Sequence, residues 1–429
     1  MEAAITLADQ GFPVDLVERS SELGGALRHL HYGLEQFGIE AALPPQGSDN
    51  FLGPQDYLEK LIEKVENHAS ISLHFNAEVV NAQGFMGNFS STIGYANRHE
   101  RIEVSHGATI VCVGGVEYRG EEYGYGSDPR ITTQQQFEST LAAAENAGGK
   151  TPNNVVMIQC VGPADKYCGR ICCTSALKNA LTLKRLNPTA QITVIYKDIR
   201  TYGFKERIYT QAREAGVIFM HYETGREAEV TIDADGALKV SLWEEILGRQ
   251  MDLKPDMLVL SSPIVPSPAA EDLASKLKLA QDADGFFMEA HIKLRPVDFL
   301  ADGVFMAGLA HYPKLLQESI IQAKAAAARA ATILSRDTLT TGGPVAEISQ
   351  GMCVACLTCV RSCPFGAPRI SSDAESIGGI LGAAYIESAL CQGCGLCTAS
   401  CPACAIELKH YTENQIGAKL DALFEKAYV

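Results

Sequence analysis

Apolar and polar positions along the chain change period several times, and each change marks an element. Near the start, Ala4, Ile5, Leu7 and Ala8 recur at helical spacing over Met1–Gln10, Gly11 ends that run, and Val14–Val17 follows as a strand closed by Glu18. His29–Phe51 is polar and loop-like, Asp56–Glu66 is an amphipathic helix, and Ile71–Phe75 and Ala77–Val80 read as strands, with Ala82–Ser91 as a turn-rich excursion. Asn154–Gln159 is an unbroken run rich in Val and Ile. Cys173–Arg185 spaces Ala176, Leu177, Ala180, Leu181 and Leu183 as a helix, and Gln191–Tyr196 is again strand-like. Strand, helix and strand over so few residues predict a βαβ unit. Thr109–Gly115 and Gly303–Ala310 each join a short apolar strand to glycine, and Leu315–Ser335 is a long helix whose run Ala323–Ala331 is assigned only packing. A linker rich in Thr and Gly, Arg336–Ser349, closes this pattern.

Composition narrows the class without naming a function. At 429 residues the chain is too long for one core, so two or three domains are expected. Hydrophobic content of 46 % with 20 % charged residues is ordinary for a globular chain, and no apolar run approaches the ~20 residues that cross a bilayer. A formal charge of −15 disfavours a phosphate-backbone partner, so nucleic-acid binding is excluded. The first residues lack the basic start and long apolar stretch of a secretory signal, which leaves the fourteen cysteines as metal ligands in a reducing cytoplasm rather than disulfides.

Four of those thiols crowd into one turn. Cys160, Cys168, Cys172 and Cys173 lie between the first strand and the helix of the βαβ unit, where a dinucleotide-binding domain carries G-x-G-x-x-G. Only Gly162 and Gly169 are present there, so a nicotinamide dinucleotide is not expected at this turn. The helix N-terminus, Lys166 and Arg170 are expected to stabilise thiolates. The spacing leaves open a 4Fe-4S cluster, a zinc ion, and free thiols or a vicinal disulfide.

After the linker, Cys353-x2-Cys356-x2-Cys359-x3-Cys363-Pro364 and Cys391-x2-Cys394-x2-Cys397-x3-Cys401-Pro402 form a duplicated ferredoxin motif. In such motifs the fourth cysteine of each run ligates the other run's cluster, so Cys353, Cys356 and Cys359 are expected with Cys401, and Cys391, Cys394 and Cys397 with Cys363. Cys112 and Cys404 stand outside these sets and are expected to be packed thiols. No two of the ten histidines have ligand spacing.

The opening stretch resembles a flavoprotein half. Glu18, closing the second strand of such a fold, is the candidate for the ribose hydroxyls, and Gly24 and Gly25 for the pyrophosphate. Gly114 lies in a stretch similar to the strand and Gly-Gly that follow the excursion in two-dinucleotide flavoproteins. Gly308, His311, Pro313 and Lys314 lie in a stretch similar to their closing flavin segment, with Leu309 where an Asp is usual. Asp198, Arg200 and Tyr202, just past a strand end, are placed where they could face the flavin, but read better as a solvated loop. The glycine fingerprint and first strand do not precede Met1, so they are expected from another chain or from outside this sequence.

With these stretches, the cassette QCVGPADKYCGRICC and the doubled ferredoxin motif together, the chain resembles the A subunit of heterodisulfide reductase in an N-terminally shortened form. The resemblance extends to flavoprotein subunits of quinone-interacting oxidoreductases. It implies an α/β fold of two Rossmann-like, thioredoxin-reductase-like domains followed by an α+β bacterial-type 2x(4Fe-4S) ferredoxin domain. The boundaries expected are 1–150 for the first part of an FAD-binding domain, 151–285 for the cassette domain, 286–340 for the closing FAD part and 345–429 for the ferredoxin domain. It also implies FAD, two ferredoxin clusters and a third on the cassette. The implied partners are other iron-sulfur subunits, a hydrogenase- or dehydrogenase-linked donor and ferredoxin, and the best-known complexes use flavin-based bifurcation. Two rivals stand beside this reading. One is a non-catalytic ferredoxin-bearing scaffold with a vestigial flavin site. The other is an NAD(P)H-dependent reductase of the glutamate synthase small-subunit type, which would need a second glycine fingerprint after Asn154; that fingerprint is absent.

Overall fold

The short α1 (Glu2–Ala8) buries Ala3, Ala4, Leu7 and Ala8 and leads into β1 (Val14–Val17). A computed structural model describes residues 1–38, 53–96, 100–162, 167–339 and 343–425. These divide into two compact units. One comprises Met1–Ala82, Ser91–Val104 and Ala108–Thr332, the other Gln83–Ser90, Ser105–Gly107 and Ile333–Val429. Lys166 and part of the loop after His29 lie outside the described residues.

In the first unit, α2 (Pro54–Glu66) precedes β2 (Ile71–His74), which pairs in parallel with β1 from Val14 opposite Ile71 to Val17 opposite His74. The antiparallel sheet β3 (Ala77–Phe85), β4 (Asn88–Tyr95) and β5 (Arg101–His106) follows. The expected turn-rich excursion over 82–91 is therefore mostly strand. The turn shrinks to Met86 and Gly87, where Gly87 takes φ 85°. Then β6 (Thr109–Val111) and β7 (Gly115–Glu117) lead out of this half.

A five-stranded, all-parallel sheet forms the second half, in the order β11-β10-β9-β15-β8. Along the chain it runs β8 (Ile131–Thr133), α3 (Gln134–Ala147), β9 (Asn154–Ile158), α4 (Cys172–Leu186), β10 (Gln191–Tyr196), α5 (Glu206–Glu214) and β11 (Ile218–His221). The antiparallel insert β12 (Glu229–Ile232), β13 (Leu238–Glu244) and β14 (Arg249–Leu253) then intervenes before β15 (Met257–Leu260). Successive residues of β9 face opposite layers. Val155 and Met157 pack with Phe137, Leu141, Leu177 and Leu183 of the helices, whereas Val156 and Ile158 pack with Val240 and Leu242 of the insert.

This sheet takes in β8 and α3, so its layer begins about twenty residues before the boundary expected at 151. The signal there is weak because β8 has only three residues and α3 opens on three glutamines. A capping box starts α3: the Thr133 hydroxyl accepts the Gln136 N–H at 3.3 Å, and the Thr133 N–H donates to Gln136 Oε1 at 3.0 Å.

The chain returns through β16 (Ile264–Pro266), antiparallel to β7, and α6 (Ala270–Leu277) to β17 (Val304–Met306), which pairs in parallel with β6. The flavoprotein-like half thus holds its parallel strands as two pairs, β1–β2 and β6–β17. The long α7 (Leu316–Leu334) brings Leu316 and Ile320 against Tyr57 and Leu61 of α2 and Met1 and Ile5 of the opening stretch.

The second unit is built on β18 (Ala346–Ile348), α8 (Thr358–Ser362), the hairpin β19 (Pro368–Glu375) and β20 (Leu381–Ile386), α9 (Leu396–Ser400) and β21 (Ile406–Leu408), followed by α10 (Glu413–Glu425). The duplication is visible in the backbone. Two and four residues after the first cysteine of each run, φ is positive, at Ala355 and Leu357 in one and at Gly393 and Gly395 in the other. Three residues after the fourth cysteine it is positive again, at Gly366 and Cys404. Among the described residues no helix is long and apolar enough to cross a membrane.

Candidate redox centres

The wrapping turns of the second unit gather the ferredoxin thiols into two recesses. One is lined by Cys391, Cys394 and Cys397 with Cys363, the other by Cys353, Cys356 and Cys359 with Cys401. Each recess therefore draws three thiols from one run and one from the other. Apolar walls close them, Phe365, Pro368 and Ile386 on the first and Ile348, Ala384 and Ile406 on the second. Backbone donors face sulfur: the N–H of left-handed Ala355 lies 3.4 Å from Cys353 Sγ, and the N–H of Ala346, which opens β18, lies 3.4 Å from Cys391 Sγ. Burial pushes the Cys359 and Cys397 thiols up, whereas hydrogen bonding from Thr358 lowers that of the exposed Cys356. Buried thiols that resist ionisation suit a group that takes up their negative charge.

The cassette thiols also come together. Cys172 and Cys173 open α4, and Cys160 and Cys168 stand close enough to raise the thiols of both. Burial is the larger cause, pushing Cys173 up to about 11 and Cys172 further. This reverses the expectation that the helix end and Arg170 would stabilise free thiolates at these two positions, because desolvation outweighs a partial charge. All fourteen cysteines are free thiols, so no vicinal disulfide joins Cys172 to Cys173.

Backbone donors again face sulfur. The Arg170 N–H lies 3.4 Å from Cys168 Sγ, and the Arg200 N–H 3.5 Å from Cys173 Sγ. A Cβ at Gly169 would come within 2.8 Å of Cys172 Sγ, so a larger residue there must displace that thiol. Beside the thiols, the side-chain amide of Gln159 is fully buried with neither atom hydrogen-bonded, and the buried Thr174 hydroxyl likewise has no partner. Such orphaned polar atoms next to sulfur ligands fit a polar group held among them.

Among the described residues no set of three or more His, Cys, Asp or Glu side chains closes on a point where one metal ion could sit. Four thiolates around one zinc need sulfurs roughly 3.8 Å apart, from Zn–S of about 2.3 Å in a tetrahedron. No thiol set of that kind closes on a single ion among the described residues.

On the flavin side, Glu18 is half-buried, and its Oε1 accepts the Ser20 N–H at 2.8 Å and the Ser20 hydroxyl at 2.9 Å. Gly25, Gly114 and Gly308 all have positive φ and open space where a Cβ would stand, whereas Gly24 is hemmed in by Arg28 and Leu58. Pro313 is buried. These open cradles fit the close approach of a flat cofactor.

His311 and Lys314 are buried in a network that the sequence did not disclose. His311 Nε2 is 2.8 Å from Glu289, an acceptor only, so that nitrogen carries the proton. His311 Nδ1 then accepts from Gln322 Nε2 at 2.7 Å and from Lys314 Nζ at 3.4 Å. Gln322 Oε1 accepts from Lys314 Nζ and from the Gly308 N–H. Gln322 and Glu289 carry no local motif; only the fold brings them to His311. Cys112, expected to be packed, is exposed beside this network, as is Cys404 in the second unit. Cys112 sits just past the end of β6, and Cys404 occupies the left-handed position that Gly366 fills in the other run.

Burial lowers Lys314 from the usual lysine value to about 7. The unfolded chain then binds more protons than the native one between pH 7 and the ordinary lysine range, so stability rises with pH across that window. The Lys314→Met variant is expected to lose this rise in urea titrations at pH 7 and pH 10. An identical slope in variant and parent would show that Lys314 is not the group responsible.

A family model described as a 4Fe-4S binding domain matches residues 346–369. The chain is 37 % identical over 341 residues to the A subunit of H(2):CoB-CoM heterodisulfide,ferredoxin reductase of Methanothermobacter marburgensis, covering 75 % of this chain and 50 % of that one. It is 32 % identical over 383 residues to the A subunit of ferredoxin:CoB-CoM heterodisulfide reductase of Methanosarcina acetivorans, covering 79 % and 46 %. With the iron-sulfur A subunit of CoB-CoM heterodisulfide reductase of Methanocaldococcus jannaschii it shares 29 % identity over 521 residues, covering 99 % and 76 %. The chain thus spans about half the length of the first two relatives. Among solved structures, thioredoxin reductase of Lactococcus lactis superposes with a TM-score of 0.52 at 16 % identity, covering 78 % of this chain and 95 % of that one, a likeness of fold. By its sequence likeness across both units, the chain belongs to the family of heterodisulfide reductase A subunits.

Proposed function

We propose that the chain is an electron-relay subunit of a heterodisulfide-reductase-like oxidoreductase complex, with FAD, two ferredoxin 4Fe-4S clusters and a third cluster on the cassette. The observation that carries this reading is the gathering of twelve thiols into three sets of four in a chain that also carries the open glycine cradles. A bound flavin would supply the junction between two-electron and one-electron chemistry, and each cluster a one-electron step.

The chain's own residues divide the work. Gly25, Gly114 and Gly308 leave room for the cofactor, and Glu18 offers a carboxylate for ribose hydroxyls once Ser20 yields. Lys314, held by Gln322 and His311, places an amine that is half-protonated near pH 7 in the closing flavin segment, and the Glu289 carboxylate keeps His311 in the tautomer that accepts from it. The cassette thiols hold the cluster on the flavin unit, and the crossed thiol sets hold the pair in the ferredoxin unit. Partners are proposed to be other iron-sulfur subunits, a hydrogenase- or dehydrogenase-linked donor and ferredoxin, in a reducing cytoplasm that keeps the thiols free. The names of relatives that pair a heterodisulfide with ferredoxin support the finer reading, division of electron pairs between two acceptors.

After anaerobic reconstitution with iron, sulfide and FAD, followed by desalting, about one flavin should remain per chain, and reduced ferredoxin should bleach it. Clusters without retained flavin would instead favour the ferredoxin-bearing scaffold.

A further inference from the structure

Just past β10, residues 198–201 alternate between surface and interior. Asp198 and Arg200 expose their side chains, whereas Ile199 packs against the core that holds Leu177 and Val194, and Thr201 is buried. The Thr201 hydroxyl donates to Glu206 Oε2, at the start of α5, at 2.6 Å. The stretch that reads as a solvated loop is therefore anchored on both sides of Arg200.

That anchorage brings Arg200 onto two cassette thiols. Its main-chain N–H lies 3.5 Å from Cys173 Sγ. Its guanidinium is engaged first by Asp198, with Nε 2.6 Å from Oδ2, and also reaches the Cys168 side chain. Arg170, although it lies between Cys168 and Cys172, sends its guanidinium elsewhere, 5.1 Å from the Tyr202 ring centroid and 5.0 Å from that of Tyr312. The Cys173 thiol donates to the Asp198 carbonyl at 3.8 Å. A cysteine that ligates a metal gives up that proton, which leaves the Arg200 N–H as a donor to its sulfur.

We propose that Arg200 is a positioning residue of the cassette: from one anchored loop it donates to two of the four sulfur ligands and so raises the reduction potential of the cluster they hold. This rests on the reading that the cassette holds a cluster. One-electron reduction adds negative charge to a cluster and its sulfurs, and hydrogen bonds to those sulfurs stabilise it. A guanidinium adds a positive charge to the hydrogen bond, and the Asp198 carboxylate beside it acts in the opposite sense.

The test is a redox titration of the reconstituted full chain, with dithionite as the reductant, followed by electron paramagnetic resonance. The cassette signal is the one that disappears in the Cys172→Ala, Cys173→Ala variant. Arg200→Met should shift its reduction equilibrium about tenfold toward the oxidised form, 59 mV for one electron. Arg200→Lys, which keeps the cation, should fall between the parent and Arg200→Met. Asp198→Asn keeps an acceptor for Arg200 Nε while removing the carboxylate charge. It should move the potential upward, opposite to Arg200→Met, a sign that a purely structural role would not produce.

An unmoved or raised potential in an Arg200→Met protein with full iron content overturns the proposal, while leaving the cassette reading intact. If Arg200→Met sheds the cassette irons, Asp198→Asn decides alone, and a downward or absent shift there overturns the proposal. A parent chain with about eight irons and no cassette signal defeats the cassette reading, and this proposal with it.

Discussion

The reconstituted chain is expected to hold about twelve irons, falling to about eight in the Cys172→Ala, Cys173→Ala variant with the ferredoxin signals intact. The substitutions remove one half-buried and one buried thiol whose ionisation is opposed by desolvation, so few charges are left stranded and the fold should persist. Cys401→Ala makes the complementary test. It should empty the recess that Cys353, Cys356 and Cys359 line, rather than the one lined by Cys391, Cys394 and Cys397, its neighbours in sequence. A parent and cassette variant with equal iron would remove the third cluster from the proposal. Loss of the neighbouring cluster in Cys401→Ala would overturn the crossed ligation.

Lys178→Met should destabilise the first unit by about 3–5 kcal/mol, the usual cost of stripping one partner from a buried ion pair. Lys178 and Glu138 have side chains only 4 % and 5 % exposed, with Nζ 2.7 Å from Oε2. Lys178 also donates to the Tyr32 carbonyl at 2.9 Å, and Glu138 Oε1 accepts the N–H groups of His31 and Tyr32 at 2.7 and 2.9 Å. The pair thereby ties the loop after Gly25 to α3 and to α4, the helix that carries the cassette cysteines. In Lys178→Met the carboxylate keeps its two backbone donors but loses its counterion. The double variant Lys178→Met, Glu138→Gln should lose less in apparent melting temperature than the single one. If it loses as much or more, the uncompensated charge is not what makes the single substitution costly.

How much of this was legible in the sequence depended on how local each cause is. The crossed ferredoxin sets could be expected because the motif is contiguous and its geometry repeats. The unit around β9, α4 and β10 was visible because those strands are covered on both faces and so read as unbroken apolar runs. The start of that sheet was hidden, since β8 is too short to show a period and α3 is begun by a capping box rather than by an apolar stripe. Lys178 could have drawn notice as a charge between the buried Leu177 and Asn179, but its partner lies forty residues earlier on another helix. Arg170 was read as a local neighbour of thiols. Its rings at Tyr202 and Tyr312 come from elements that only the fold brings together, and so do the partners of His311 at Glu289 and Gln322.

The crossed recesses also fix when iron can enter. A nascent chain that has exposed Cys353, Cys356 and Cys359 still has an incomplete site, because the fourth thiol is Cys401; the Cys363 recess likewise waits for Cys397. Neither half of the duplication can be loaded while the ribosome is still translating the other, so both sites stay open until the second run of cysteines has been made, and a translation stall inside the β19–β20 hairpin would leave a product with no complete ferredoxin site.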